Sequence, residues 1–528
     1  MPKISILMEY NCPACIWTSE TDSAMSNKGR VNFKNLLSET DFASQTSIEH
    51  YAAYLDGMTF RDILELGIAP ANAEEKDYGS VRFKGGMGNL IEERYFGYKA
   101  NSDDRPDFPE AGVELKATCF DLRKDGTKSA GERLVLTMIP YDREVTTDYE
   151  KSHLKTKLNT LLLVYYHRDR TIDKYDQRIE RAVMVHLPEK DLRIIRSDYK
   201  KITTLLQQGR ADELSEGMTS YLGACTKGAN EKSMWANQHY PFIDPQTGEQ
   251  TRRKAKKRAF SLKRSFMDYL LHNYVLNAPK PEESILPEDS ETETADFDSY
   301  VLNLIDQHVG KTDRQIAQHY GLPYTGNKAQ WTMLIYRMLG IKNNSAEEFV
   351  KAGISVRVAR ADENGAIKES MSFAPFKFKR IAEESWDESD FHVKLESSRF
   401  LWVLFQRKED GDYHLEKAVF WAMPIEDIEG PAKACWEETK STIIHGVQLK
   451  RHLNSSGKLT VENNLPKISG NPVSHVRPHS SKAAYLFEDG MAIGNLKRDS
   501  DELPDGRRMT KQSFWLNNSY IEKILGTR

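Results

Sequence analysis

Arg105-Pro106-Asp107-Phe108-Pro109-Glu110-Ala111-Gly112-Val113-Glu114-Leu115-Lys116 joins a proline turn to a short strand carrying Glu-x-Lys. Pro106 fixes its own φ and biases Arg105 towards extended backbone, so a turn delivers Asp107 ahead of a short strand. Alternate strand residues share a face: Val113 and Leu115 point to a core, Glu114 and Lys116 to the opposite side. Two carboxylates and an ammonium then converge. Carboxylates held close repel unless a cation lies between them, and hard oxygen ligands suit Mg2+. A lysine alongside can orient water and stabilise charge growing on a phosphate, the minimum apparatus for hydrolysing a phosphodiester. A solvated strand face has the same spacing, so the rest of the chain must decide.

At 528 residues the chain exceeds one typical core, and 39% hydrophobic with 29% charged residues describes a water-soluble globular protein. No apolar run approaches the ~20 residues that span a bilayer, and no signal peptide opens the chain. Five cysteines in such a length suit a reducing, cytoplasmic compartment. Cys12-Pro13-Ala14-Cys15 is half a zinc spacing with no second Cys/His pair nearby. The net charge of -4 leaves any nucleic-acid contact to local basic patches.

Residues 1–40 carry no clear periodicity and read as an accessory or disordered extension. A helical pattern runs from Ser47 to Leu66 around a turn at Gly57, and Gly85-Gly86-Met87-Gly88 reads as a mobile loop. A short helix, Asn89 to Phe96, carries Glu92 and Glu93. Strands over Leu134–Ile139, Leu161–Tyr166 and Ala182–Val185 alternate with helices over 153–158 and 191–208, an α/β pattern. The run 252–264 holds eight basic residues in thirteen: Arg252, Arg253, Lys254, Lys256, Lys257, Arg258, Lys263 and Arg264. It leads straight into the apolar helix Phe266–Leu276, and a basic edge anchored to a fold is what phosphate contact requires. Residues 278–296, rich in Pro, Glu, Asp, Ser and Thr, read as an acidic linker between domains 41–277 and 297–528.

Beyond that linker the chain repeats itself in order. Gly57 to Ile63 is echoed by Gly310 to Ile316, Arg94-Tyr95-Phe96-Gly97 by Arg337-Met338-Leu339-Gly340, and Ala182-Val183 by Ala418-Val419. Lys263-Arg264-Ser265-Phe266 matches Lys511-Gln512-Ser513-Phe514. Counting back from the shared glycine aligns Glu93 with Tyr336, and Glu369-Ser370-Met371 stands where Glu114-Leu115-Lys116 should recur. The second copy thus lacks the metal-and-lysine set but keeps Arg477, His479, Arg507, Arg508 and Lys511 as candidates for binding a further DNA. One copy is built for chemistry, the other for binding.

Glu93 to Gly97, Pro106-Asp107 and Gly112-Val113-Glu114-Leu115-Lys116 resemble the active site of the mismatch-repair nickase MutH and of related type II restriction endonucleases that cut GATC. The likeness continues through Ser152-His153-x-x-x-Lys157-Leu158, Leu214 to Gly217, Cys225 to Asn230 and Phe260 to Lys263. In the second half it includes Glu369 to Phe373, His475 to His479 and Met509 to Trp515. The resemblance implies two tandem PD-(D/E)XK, MutH-like domains, the second degenerate, and Mg2+-dependent hydrolysis of double-stranded DNA. It implies Asp107 and Glu114 as metal ligands, Lys116 as the group that positions water, and Glu93 as an assisting ligand. Lys227 falls where the family reads bases, and lysine can donate to guanine acceptors. Cys225 stands where MutH has an arginine and Ser261 where it has a tyrosine, so side-chain base readout and methylation response do not carry over.

The leading expectation is a type II, IIE-like restriction endonuclease at 5'-GATC-3' whose second domain binds another site and regulates cleavage. Alternatively the second copy supplies the other half of a pseudo-dimer on one palindrome. Dimerisation on DNA, and a cognate methyltransferase acting on the same site, accompany the first reading. A strand-nicking repair endonuclease and a non-cleaving DNA-binding or looping protein are the other two readings.

Overall fold

A computed structural model describes residues 31–70, 76–80, 85–100, 105–227, 234–278, 282–287, 296–455, 457 and 459–527. In chain order the first half contains α1 (Phe33–Glu39), α2 (Gln45–Ala52), α3 (Phe60–Glu65), α4 (Gly86–Arg94), β1 (Val113–Leu122), β2 (Lys128–Ala130) and β3 (Leu134–Met138). There follow α5 (His153–Leu158), β4 (Thr160–His167), β5 (Ile179–Val185), α6 (Glu189–Gln207), β6 (Leu222–Thr226), β7 (Arg258–Leu262) and α7 (Arg264–Leu270). The second half has α8 (Phe297–Asp306), α9 (Asp313–His319), α10 (Lys328–Met338), α11 (Glu347–Ala352), β8 (Ile354–Ala361) and β9 (Met371–Pro375). It ends with α12 (Asp390–Ser397), β10 (Arg399–Arg407), β11 (Tyr413–Trp421), α13 (Lys433–His445), β12 (Ser474–Pro478), β13 (Gln512–Leu516) and α14 (Asn518–Leu525). Among the described residues no helix is long and apolar enough to cross a membrane.

The described chain forms two compact units, one ending at Ala117 and taking in Leu162–Met184, the other comprising Thr118–Leu161 and Val185–Arg528. In the first unit β1 lies beside β4 and β4 beside β5. Val113 and Leu115 on β1, Leu162 and Val164 on β4, and Leu90 and Ile91 on α4 share one core. Each such buried side chain contributes about 1.5–3 kcal/mol, enough to hold strand and helix in one arrangement. Tyr51 and Tyr95 stack at 4.7 Å and each donates its hydroxyl to the other's carbonyl, which satisfies two buried phenols inside that core.

The end of the expected extension belongs to this core. Asn32 caps α1, and Phe33 is buried between Tyr54 and Tyr95. Residues 1–30, with Cys12 and Cys15, lie outside the described residues. Gly86 to Gly88 is not a loop but the first turn of α4, preceded by Gly85 at φ +85°. A Cβ on Gly86 would collide with the Tyr78 carbonyl, so only glycine lets the helix start there.

In the second unit β7 pairs antiparallel with both β3 and β6, and β13 pairs antiparallel with both β9 and β12. In the second half β8 runs parallel to β10, and β10 antiparallel to β11. Of the expected linker, residues 279–281 and 288–295 lie outside the described residues. The described part is pinned: Ser284 Oγ and the N–H groups of Ile285 and Leu286 donate to Glu348, and Lys342 N–H donates to Glu283. Buried ion pairs tie elements of the two halves within this unit. Lys351 on α11 donates to Asp191 on α6 at 2.6 Å and to Glu347 at 2.7 Å, and Tyr269 on α7 donates to Glu347 at 2.8 Å. Gly217 packs so closely on the Ser398 carbonyl that a Cβ would overlap it.

Candidate active site

Strand alternation does what the sequence demands. Glu114 is 2% exposed on the face of β1 opposite Val113 and Leu115, and Lys116 Nζ donates to Glu114 Oε1. Asp107 arrives from the turn after Pro106, and its Oδ2 accepts the Leu115 N–H at 2.8 Å. That bond fixes the carboxylate against the strand that carries Glu114.

On α4 the expected Glu93 and its neighbour Glu92 turn in different directions, and it is Glu92 that the charges on β1 affect most. Glu93 is turned into the protein: Lys76 Nζ donates to its Oε1 at 2.7 Å, Tyr78 Oη to its Oε2 at 2.6 Å, and Ala100 N–H to Oε1 at 3.3 Å. Burial raises its pKa, but the bonds from Lys76 and Tyr78 outweigh it and hold the carboxylate below its ordinary range. Glu92 instead feels the cluster on β1. Burial first, then the charge of Asp107, pushes its carboxyl up to about 8, with Lys116 pulling the other way and Glu114 adding to the rise.

Helical spacing explains the difference. Glu92 stands four residues after Gly88, on the side of α4 away from Leu90 and Ile91. Gly88 faces Ala117, the residue after Lys116. A glycine one turn before an acid, on the face away from the apolar stripe, was the signal available in the sequence. Counting back from Gly97 selects the neighbour whose task is to hold the helix.

Glu92, Asp107 and Glu114 thus lie within electrostatic reach of one another and of Lys116. Burial first, and the neighbouring carboxylates with it, raise the Glu92 pKa; a hard divalent cation would offset both, so the donor set fits such an ion.

The basic run does not present one phosphate-facing edge. Arg258, 3% exposed, donates to Glu396 at 2.6 Å and to the Ala224 carbonyl at 2.7 Å. Lys263 is buried and donates to the Thr219 carbonyl; burial and the nearby Arg399 charge bring its pKa down to about 8. Lys256 pairs with Glu429 at 2.8 Å, and Arg253 lies 3.5 Å over the Phe242 ring and within 3.4 Å of Asp212. Arg252, Lys254 and Arg264 are exposed and Lys257 half-buried. The cause is burial: every residue of β7 is buried, so the cations at its two ends, Arg258 and Lys263, must each meet an acid or a carbonyl.

Lys227 closes β6, its N–H bonded to the Lys257 carbonyl at 2.7 Å, while Gly228, Ala229 and Asn230 lie outside the described residues. Asp198 on α6 accepts the N–H groups of Ser220, Tyr221 and Leu222, which sets where β6 begins. In the second half Arg477 and His479 are exposed at the end of β12. Arg507 is held by Asp505 and the Val447 carbonyl, Arg508 by Ser500, and Lys511 by the Arg498 carbonyl.

The strand expected over Glu369-Ser370-Met371 lies elsewhere. Glu369 precedes β9 and pairs with Arg360. The strand that follows a positive-φ glycine, as β1 follows Gly112, is β8 after Gly353; the two glycines have φ of +65° and +66°. Ser355-Val356-Arg357 therefore occupies the register of Glu114-Leu115-Lys116. Likewise Leu516 pairs with Met371 and Ser474 as Leu262 pairs with Leu134 and Leu222, so Asn517, not Lys511, corresponds to Lys263.

The family described as DNA mismatch repair enzyme MutH matches residues 96–198, which contain Asp107, Glu114 and Lys116. The type II restriction enzyme Sau3AI of Staphylococcus aureus is 34% identical over 466 residues, covering 83% of this chain and 92% of that protein. The chain belongs to the MutH-like type II restriction endonucleases. More distant relatives include the DNA mismatch repair protein MutH of Haemophilus ducreyi, 27% identical over 37% of this chain and 80% of that protein. The MutH of Vibrio campbellii is 23% identical over 44% of this chain and 96% of that protein. Each MutH covers less than half of this endonuclease, whereas the restriction enzyme spans both of its halves. As a restriction endonuclease of this family it acts on double-stranded DNA with a divalent metal ion.

Proposed function

We propose that this endonuclease cleaves both strands of DNA at 5'-GATC-3' with Mg2+, using Asp107, Glu114, Lys116 and Glu92, and that residues 297–528 are a degenerate second MutH-like copy binding a further site. The observation that carries the reading is the Lys116–Glu114 pair on β1, with Asp107 bonded to the Leu115 N–H between them. Asp107, Glu114 and Glu92 would hold the cation, with Glu93 supporting through α4. Bound there, a divalent ion supplies Lewis-acid stabilisation of phosphate charge. Lys116, held by Glu114, orients the attacking water and donates to the phosphate oxygen as negative charge grows. The water oxygen bonds to phosphorus, one P–O ester bond breaks, the water's proton passes to solvent or a nearby carboxylate, and the leaving alkoxide takes up a proton. Lys227, Arg252, Lys254, Lys257 and Arg264 are the assigned DNA contacts, and Arg477 and His479 those of the second copy.

The tandem reading draws support from the matching strand pairing in the two halves and from the glycine-led strands β1 and β8. Since each chain holds one set of catalytic residues, a double-strand cut calls for two chains on one palindrome or for rebinding. A methyltransferase of the same specificity would protect host DNA without touching this protein. Plasmids with one or two GATC sites, digested with Mg2+ or with EDTA and followed by end sequencing, test the proposal. Metal-dependent double-strand breaks at GATC, faster with two sites, are expected. Breaks at another sequence, or nicks alone, would overturn it.

A further inference from the structure

In the second half the corresponding strand keeps the cation and loses the carboxylate. Ser355 stands in the register of Glu114 and Arg357 in that of Lys116, while Lys394 lies five residues after the helix-capping Ser389, as Lys157 lies five after the capping Ser152. Arg357 is exposed, with its guanidinium 5.8 Å from the Phe400 ring centroid. Among the described residues neither Arg357 nor Lys394 has a carboxylate within ion-pair reach. Burial and the positive charge of Arg357 both hold the Lys394 pKa down, so the two cations sense each other.

A cavity of about 320 Å³ opens beside this strand, lined in part by Arg357, Lys328, Ser370, Ser372, Trp402 and Trp515. The carboxylate on its wall, Glu369, is taken by Arg360 at 2.5 Å. Trp515 connects the cavity to the exposed end of β12, for the Arg477 guanidinium stacks 4.6 Å over its ring.

We propose that this cavity is a metal-independent phosphodiester anchor, in which Arg357 and the hydroxyls of Ser370 and Ser372 hold a backbone phosphate of the second duplex, Lys394 adding positive charge from outside the lining. The inference rests on the tandem reading above and goes beyond it by naming the site and its chemistry. In the first half, carboxylates need a cation before a phosphate can approach. In the second, a guanidinium meets the phosphate directly through paired N–H donors. Nothing is cleaved there, because Glu369 is the one carboxylate among the described lining residues and Arg360 holds it.

The test is fluorescence anisotropy of a short GATC duplex titrated with the full chain in EDTA at several salt concentrations. Wild type should bind two duplexes per chain without metal. Arg357→Ala combined with Lys394→Ala should weaken the second event about tenfold and lower its log K against log salt slope by about 0.9 per phosphate lost. Arg357→Lys, which keeps the charge, should retain the second event, and Mg2+-dependent cleavage of one-site DNA by both variants reports that the fold is intact. An unchanged second event in the double variant, or one that appears only with Mg2+, would overturn the anchor. Absence of a second event in wild type would instead overturn the tandem reading on which it rests.

Discussion

Strands β1 and β8 each follow a left-handed glycine and each lie beside a long apolar strand, β4 or β10, yet they carry opposite chemistry. Glu114 and Lys116 on β1 form a charge pair beside further acids; Ser355 and Arg357 on β8 leave a net positive surface. On the proposed duplication, the backbone of a nuclease site is reusable. Its outward side chains decide whether the strand meets a phosphate through a metal ion or directly, because the inward residues alone maintain the core.

The comparison is broken most severely at Lys116. Lys116→Ala should reduce single-turnover cleavage by on the order of 10²–10³-fold, the loss typical of removing one preorganised donor to a developing oxyanion. Site-specific binding should survive, and near-normal cutting would end the assignment. A smaller effect separates the two neighbouring acids of α4. Glu92→Gln should lower cleavage about 10–100-fold, as supporting groups of metal sites do. Glu93→Gln should mainly cost stability, about 1–3 kcal/mol for the disrupted Lys76 and Tyr78 bonds, read by denaturant melting. The reverse ranking would restore Glu93 to the site.

Within the basic run, two arginines six residues apart should behave as different kinds of residue. Arg258→Met strands Glu396 in the interior and should destabilise by about 3–5 kcal/mol, whereas Arg252→Ala should leave melting unchanged and lower the salt slope of DNA binding by about 0.9. Equal behaviour would mean the run is one surface after all. The mildest change imports a second-half residue into the first. Lys263 has a folded pKa of about 8, below its ordinary 10.5, so the unfolded chain binds more protons between those values and stability rises with pH across that window. Lys263→Asn, copying Asn517, should abolish that rise; thermal melts from pH 8 to 10.5 measure it.

Much of this was legible in the residues. Val113-Glu114-Leu115-Lys116 declares its two faces through period-two alternation, and Ser152, Ser389 and Thr59 announce helix starts by the chemistry of capping. The proposed duplication follows one order in the letters and another register in the strands: Lys511 to Phe514 resembles Lys263 to Phe266 as letters, while strand pairing sets Asn517 against Lys263. Glu92 was hidden because two adjacent acids differ only in the direction a helix turns them, and that direction depends on Tyr78 and Lys76 arriving from another segment. The fates of Arg258 and Lys263 were likewise set by partners more than 40 residues away in sequence, Glu396 and Thr219.

The buried contacts of Lys351 with Asp191 and Glu347 also bear on how such a chain can be divided. Each half made as a separate polypeptide would expose a charge whose counter-ion belongs to the other. Two fragments split near residue 290 should therefore be poorly soluble alone yet assemble when co-expressed, so gene truncation is a blunt way to remove the second half. A chain of this kind is better dissected by exchanging side chains than by shortening it.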